Sequence, residues 1–165
     1  MKTIVVATDF NELATAALRE AVTIARGCGG TIVLLYADVF EPPAEFTATQ
    51  LESVKGSIDA SRLAAAEELE RYAAEHIPED VPHAIVVRDE PPVPAIVRTA
   101  DEWNADLIAM GTHGRGAVAR LLFGSVAEGV LRQTKRPVLI VRAPRAAGEK
   151  SSVVIPPEVE ACRKN

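Results

Sequence analysis

The stretch from Asp106 to Arg142 constrains the fold most, because its sequence pattern changes repeatedly along its length. It opens with an apolar run over residues 107–110 and continues through glycines at positions 111, 114 and 116. Helical spacing begins near residues 124–125, and a second apolar run covers residues 137–141. These patterns predict a strand, a glycine-rich turn, a helix and a strand. In such a unit, a ligand lies where the strand gives way to the loop and the helix N-terminus.

The rest of the chain alternates between apolar β-branched runs and helical patterns. Three further strands are predicted over residues 3–8, 31–37 and 83–88, and three further helices over residues 11–27, 51–76 and about 93–103. The alternation predicts an α/β fold with a single doubly wound, five-stranded parallel sheet of the Rossmann-like type and helices on both faces. The first and fourth strands are the most uniformly apolar. They are expected as central neighbours in the strand order 3-2-1-4-5, with the switch point between them.

Length and composition limit the domain organisation and the partners. The 165 residues fit one domain, predicted over residues 1–143, and a tail over residues 144–165 that is mobile or docked on a partner subunit. A net charge of −5 and an aromatic content of 4% argue against nucleic acid and anionic membranes as partners. With neither a signal sequence nor a run of membrane-spanning length in the sequence, a cytoplasmic location is expected. Cys28 and Cys162 lack metal-binding spacing and are expected as free thiols, Cys28 as a small buried residue.

The glycines of this stretch have a physical rationale at an anion site. Gly111 and Gly114 allow a tight turn that brings backbone N–H groups close to an anion. Ser125 is predicted to cap the last helix, whose N-terminus carries partial positive charge. His113 and Arg115 lie within the loop, where they would add charge-assisted contacts to phosphate.

Each of these features also has a plain structural interpretation. The glycines would equally serve a strand-to-helix turn, His113 is more typical of a loop residue bonded to backbone, and Arg115 of a solvated one. Asp9 ends the first strand, where it would accept from ribose hydroxyls, cap the first helix, or do both. Trp103 and Tyr72 have core spacing on their helices and are predicted to pack in the interior.

The spacing G-x-x-G, nine residues, then G-S resembles the nucleotide-binding signature of the universal stress protein family. The resemblance covers roughly residues 1–142 and includes the strings ATDF at 7–10, MGTHG at 110–114 and RPVLIV at 136–141. It implies ATP as the cofactor. The nucleotide-binding positions that it implies are Ala7, Thr8 and Asp9 on the ribose and adenine side, the backbone of Ala37 against adenine, and a phosphate cradle formed by Met110, Gly111, Thr112, His113, Gly114, Arg115, Gly116, Gly124, Ser125 and Val126.

Two positions depart from the family pattern. Ala7 stands where binding members often carry proline or valine, and Gly116 stands where threonine, serine or asparagine is common. The first changes the pocket slightly, and the second removes one side-chain contact to phosphate. The glycines that define the signature are retained.

The resemblance implies a stress-response or signalling role in which nucleotide occupancy changes conformation or partner choice. It also implies a homodimer through antiparallel pairing of the last strands, here Val138 to Val141. Two alternatives stay open: a slow ATPase or nucleotide hydrolase that uses Asp9, and a dimeric scaffold that binds no nucleotide. The sequence holds no second acid or lysine recognisably paired with the loop, so we expect binding with at most slow hydrolysis. Whether Mg²⁺ accompanies the nucleotide is open at this point.

Overall fold

Strands and helices alternate along residues 2–39, 48–112 and 124–142, which the computed structural model describes. The side chains of residues 48–57 lie outside this description, as do the loop positions 113–116 and the predicted tail. The elements are β1 (Thr3–Ala7), α1 (Glu12–Cys28), β2 (Thr31–Asp38), α2 (Ala48–His76), β3 (His83–Asp89), α3 (Pro92–Glu102), β4 (Leu107–Gly111), α4 (Ser125–Gln133) and β5 (Val138–Val141).

The five strands form one parallel sheet in the order β3-β2-β1-β4-β5. The predicted fold class and strand order are therefore confirmed. β1 is central because Ile4, Val5 and Val6 are each 0% exposed, so both faces of this strand are covered. The chain order reverses between β1 and β4, and a crevice opens at that point beyond the carboxyl ends of the strands.

Each face of the sheet carries its own core. On one face, Ile4 and Ile32 pack with Leu18 of α1 and Leu69 of α2. On the other, Val5 and Val33 pack with Ile96 of α3 and Val130 of α4. Successive strand residues point to opposite faces, so one apolar run supplies both cores. Burial of each such side chain contributes about 1.5–3 kcal/mol, so the two cores fix the strand ends that carry the site described below.

Two expectations about single residues are wrong. Cys28 is exposed because it lies in the last turn of α1, beyond Ala25, just before the left-handed cap Gly29 (φ 63°). Trp103 is 41% exposed because α3 ends at Glu102 and the chain leaves the buried face there.

None of the helices within the described ranges is long and apolar enough to cross a membrane.

Candidate functional site

An open cavity of about 630 Å³ lies at the carboxyl ends of β1, β2 and β4. Residues from the first turns of α1, α3 and α4 complete its wall. Ligand pockets span roughly 300–1,000 Å³, so this cavity is large enough for a small organic ligand. Its position at the switch point is where open α/β sheets bind ligands.

The cavity collects the residues that the sequence singled out. All ten of the predicted site residues in the described ranges line it: Ala7, Thr8, Asp9, Ala37, Met110, Gly111, Thr112, Gly124, Ser125 and Val126. The other predicted positions, His113, Gly114, Arg115 and Gly116, lie outside the described residues.

The wall also contains residues outside the predicted nucleotide-binding positions. They are small or apolar apart from one acid, and comprise Ala14, Leu35, Asp38, Pro92, Ile96 and Ala127. Ala127 lies one turn after Gly124, a helical spacing that would have indicated it. No local signal marks Pro92 or Ile96, because α3 reaches the cavity only by crossing over β1 and β2.

The start of α4 presents backbone N–H groups to the cavity. Its N-cap is Gly124 (φ −73°, ψ 161°), with no side-chain capping hydrogen bond, so the prediction that Ser125 caps this helix is wrong. Gly124 N donates to Thr112 O at 2.7 Å, which joins the helix start to the end of β4. The first N–H groups of a helix have no intrahelical acceptor. Here they belong to residues 125–127 in the cavity wall, where the helix dipole favours an anion.

The turn between β1 and α1 holds Asp9 in the wall of the same cavity. Asp9 Oδ1 accepts from Asn11 N at 3.3 Å, and Asp9 Oδ2 accepts from Asn11 Nδ2 at 3.0 Å. Asn11 Oδ1 accepts from Ala14 N at 2.8 Å and caps α1. The capping role considered for Asp9 therefore belongs to Asn11, and the Asp9 carboxylate lines the cavity.

Gly111 lies where β4 and α1 approach each other closely. A Cβ atom built on Gly111 would lie 2.9 Å from Leu13 Cβ and 3.0 Å from Leu13 C. Real Cβ atoms essentially never approach another atom as closely as 2.9 Å, and Leu13 Cβ is fixed to the backbone, so any side chain here would displace the first turn of α1. This contact alone requires glycine, whatever Gly111 does for a ligand.

Within the described part of the wall, the charged side chains are two carboxylates, Asp9 and Asp38. Asp38 accepts from Val39 N at 2.8 Å and from Tyr36 Oη at 3.0 Å. The described ranges contain no group of three or more His, Cys, Asp or Glu residues arranged to hold a metal ion. The attraction for an anion that the described wall offers therefore comes from the backbone at the start of α4.

A doubly wound parallel sheet with a glycine-capped helix at its switch-point cavity defines a class of small-ligand-binding α/β domains. The profile of the Universal stress protein family matches residues 1–142 of this chain. The chain belongs to the universal stress protein family.

Several relatives illustrate the match. Universal stress protein MJ0531 of Methanocaldococcus jannaschii is 30% identical over 148 residues, covering 87% of this chain and 84% of the relative. The solved structure of MJ0577 from the same organism has a TM-score of 0.69 at 26% identity, covering 88% of this chain and 98% of that one. A universal stress protein solved in complex with cAMP has a TM-score of 0.55 at 29% identity, covering 85% of this chain and 95% of that one.

Proposed function

We propose that this universal stress protein binds an adenine nucleotide, foremost ATP, in the switch-point cavity. Occupancy of the site would change its conformation or partner choice in a stress response or in signalling. One observation carries the proposal: the glycine-capped N-terminus of α4 and the Asp9 carboxylate face one cavity. The relative solved in complex with cAMP supports an adenine nucleotide as the ligand class.

The base, the ribose and the phosphates of the nucleotide would each bind a different part of the cavity wall. Leu35 and Ile96 belong to one buried cluster and supply an apolar surface for the base. Asp9 offers carboxylate oxygens to ribose hydroxyls. The N–H groups at the start of α4 would bind the phosphates.

The proposal is binding, with at most slow hydrolysis. Mg²⁺ prefers oxygen ligands and is commonly held by one or two carboxylates together with substrate phosphates. Asp9 and Asp38 fit that pattern, because both carboxylates lie in the wall. A phosphate-release assay with Mg²⁺ and ATP separates binding from the slow-ATPase alternative.

The phosphate position is tested by two substitutions at one residue, Gly124→Asp and Gly124→Asn. Both side chains are good N-caps, and Gly124 has an extended backbone that accepts them, so α4 should be at least as stable as in the parent. The aspartate adds a negative charge where the phosphates would bind. Its ATP affinity, measured by titration calorimetry, should fall at least about ten-fold below that of the asparagine variant.

Adenosine serves as the internal control for this pair. Since it has no phosphate, its affinity should be the same in both variants. Equal ATP affinities of the two variants would show that the phosphates do not lie at α4.

We further propose a cytoplasmic homodimer that pairs β5 (Val138–Val141) with its copy. Among the described strands, β5 is an edge strand that pairs only with β4, so no described strand occupies its other edge, where a second chain could pair. The domain boundary near residue 143 and the role of the tail remain predictions.

A further inference from the structure

We propose that Asn11 is a positioning residue for the ribose, because it holds the Asp9 carboxylate in the orientation that receives the ribose hydroxyls. This inference rests on the proposed nucleotide site. It concerns a side chain that is absent from the described cavity wall and would act on the ligand through Asp9.

Asn11 contacts Asp9 at both carboxylate oxygens. Its backbone N donates to Oδ1 at 3.3 Å and its side-chain Nδ2 donates to Oδ2 at 3.0 Å. Two bonds from one residue fix both the position of the carboxylate and the rotation of its plane.

The bonds to Ala14 N and to Asp9 determine the orientation of the Asn11 amide. Ala14 N is a donor and requires the amide oxygen, at 2.8 Å. The carboxylate of Asp9 requires the amide nitrogen, so the reversed amide would lose both bonds. One side chain thus caps α1 through its oxygen and orients Asp9 through its nitrogen.

The backbone of this turn is held in an uncommon conformation. Phe10 lies between Asp9 and Asn11 in the sequence and has a φ of 64°. This left-handed conformation costs energy for a bulky residue. Its ring contacts Tyr36 and Tyr72, with centroid distances of 5.0 and 5.3 Å, and its N–H donates to Thr8 Oγ1 at 3.0 Å. Contacts with the α1–α2 side of the sheet therefore stabilise the turn that brings Asn11 back to Asp9.

Capping and positioning use different atoms, so they are separable by mutation. Capping needs only an acceptor at Oδ1, and serine and aspartate both supply one. Positioning needs the donor Nδ2, which both replacements lack. In Asn11→Asp the new carboxylate also repels Asp9.

The test measures ribose discrimination by titration calorimetry. The parent, Asn11→Ser and Asn11→Asp are each titrated with ATP, 2′-deoxy-ATP and 3′-deoxy-ATP. In the parent, ATP should bind about ten-fold more tightly than the weaker deoxy analogue, since it donates a hydroxyl to a charged acceptor. In both variants this ratio should fall below about three-fold, while the melting temperature stays close to that of the parent because α1 keeps its cap.

The ratio between ligands is unaffected by a general loss of stability, so it separates positioning from a purely structural role. An unchanged ratio in both variants would overturn the inference and leave Asn11 as a helix cap. A parent that binds ATP and both deoxy analogues equally would also overturn it, while the proposed function stands. A parent that binds no adenine nucleotide would overturn the proposed function itself, and this inference with it.

Discussion

Two glycines at the candidate site lack a side chain for different reasons. Gly111 is required by the close contact of β4 with Leu13, at 2.9 Å from a built Cβ. Gly124 has an extended backbone that accepts other residues, and its lack of a side chain leaves the start of α4 without a side-chain cap. Gly124 therefore indicates a ligand-binding role more clearly than Gly111 does, because its backbone conformation does not require glycine.

Asp106 gives a prediction about pH. Its carboxylate accepts from the backbone N–H groups of Lys2 and Thr3 at 2.7 and 3.0 Å, and these bonds hold the pKa of Asp106 below its ordinary value of 3.8. A group with a lowered folded-state pKa stabilises the fold above its unfolded pKa, and this contribution is lost as the pH falls through the folded value. The parent should therefore be more stable than Asp106→Asn at neutral pH, and the difference should shrink below about pH 4.

Chemical denaturation of both proteins across this pH range measures that difference. The Arg26–Asp80 pair also lowers the pKa of an acid, Asp80, but it is present in both proteins and cancels in the comparison. A difference that stays constant with pH would show that the Asp106 carboxylate does not contribute through its charge.

At the scale of elements, the backbone N–H and C=O groups of β5 point alternately toward β4 and away from it, which bears on the proposed dimer. Pro137 O accepts from Ile108 N at 3.0 Å, and Val141 O accepts from Thr112 N at 2.9 Å, both from the β4 side. Because these groups alternate along a strand, Val138 and Ile140 direct their N–H and C=O groups to the edge of β5 that faces away from β4. These are the groups that a second copy of β5 would use.

Ile140→Pro and Ile140→Ala test this pairing. Both remove a partly buried side chain, but only proline also removes the outward N–H group. Sedimentation should show dimers for the parent and the alanine variant and a shift to monomers for the proline variant. Dimers in all three would place the interface elsewhere, and a monomeric parent would contradict the dimer.

At the scale of the whole molecule, the sequence predicted the fold more completely than the site. The strand order followed from runs such as residues 3–8, whose apolar residues are buried on both faces of the sheet. Pro92 and Ile96 were missed because the path of α3 over the sheet depends on tertiary contacts that no local pattern encodes. The predicted cap of α4, Ser125, is one residue after the observed cap, Gly124. Caps depend on backbone angles as well as on residue type.

The sequence indicates Asn11 only as the start of a helix. Its contact with Asp9 depends on the left-handed backbone of Phe10, which is not a residue type that indicates such a conformation. The sequence did bring Asp9 and the start of α4 into one proposal, although they lie far apart in the chain. It did so through the family signature and through the rule that parallel strands gather their carboxyl ends at one edge.

The central claim is that the switch-point cavity binds an adenine nucleotide, and the most direct test is titration calorimetry of the unmodified chain with ATP, ADP and cAMP. We predict saturable binding of ATP with one nucleotide per chain. An absence of binding heat with all three nucleotides at several temperatures would contradict the claim.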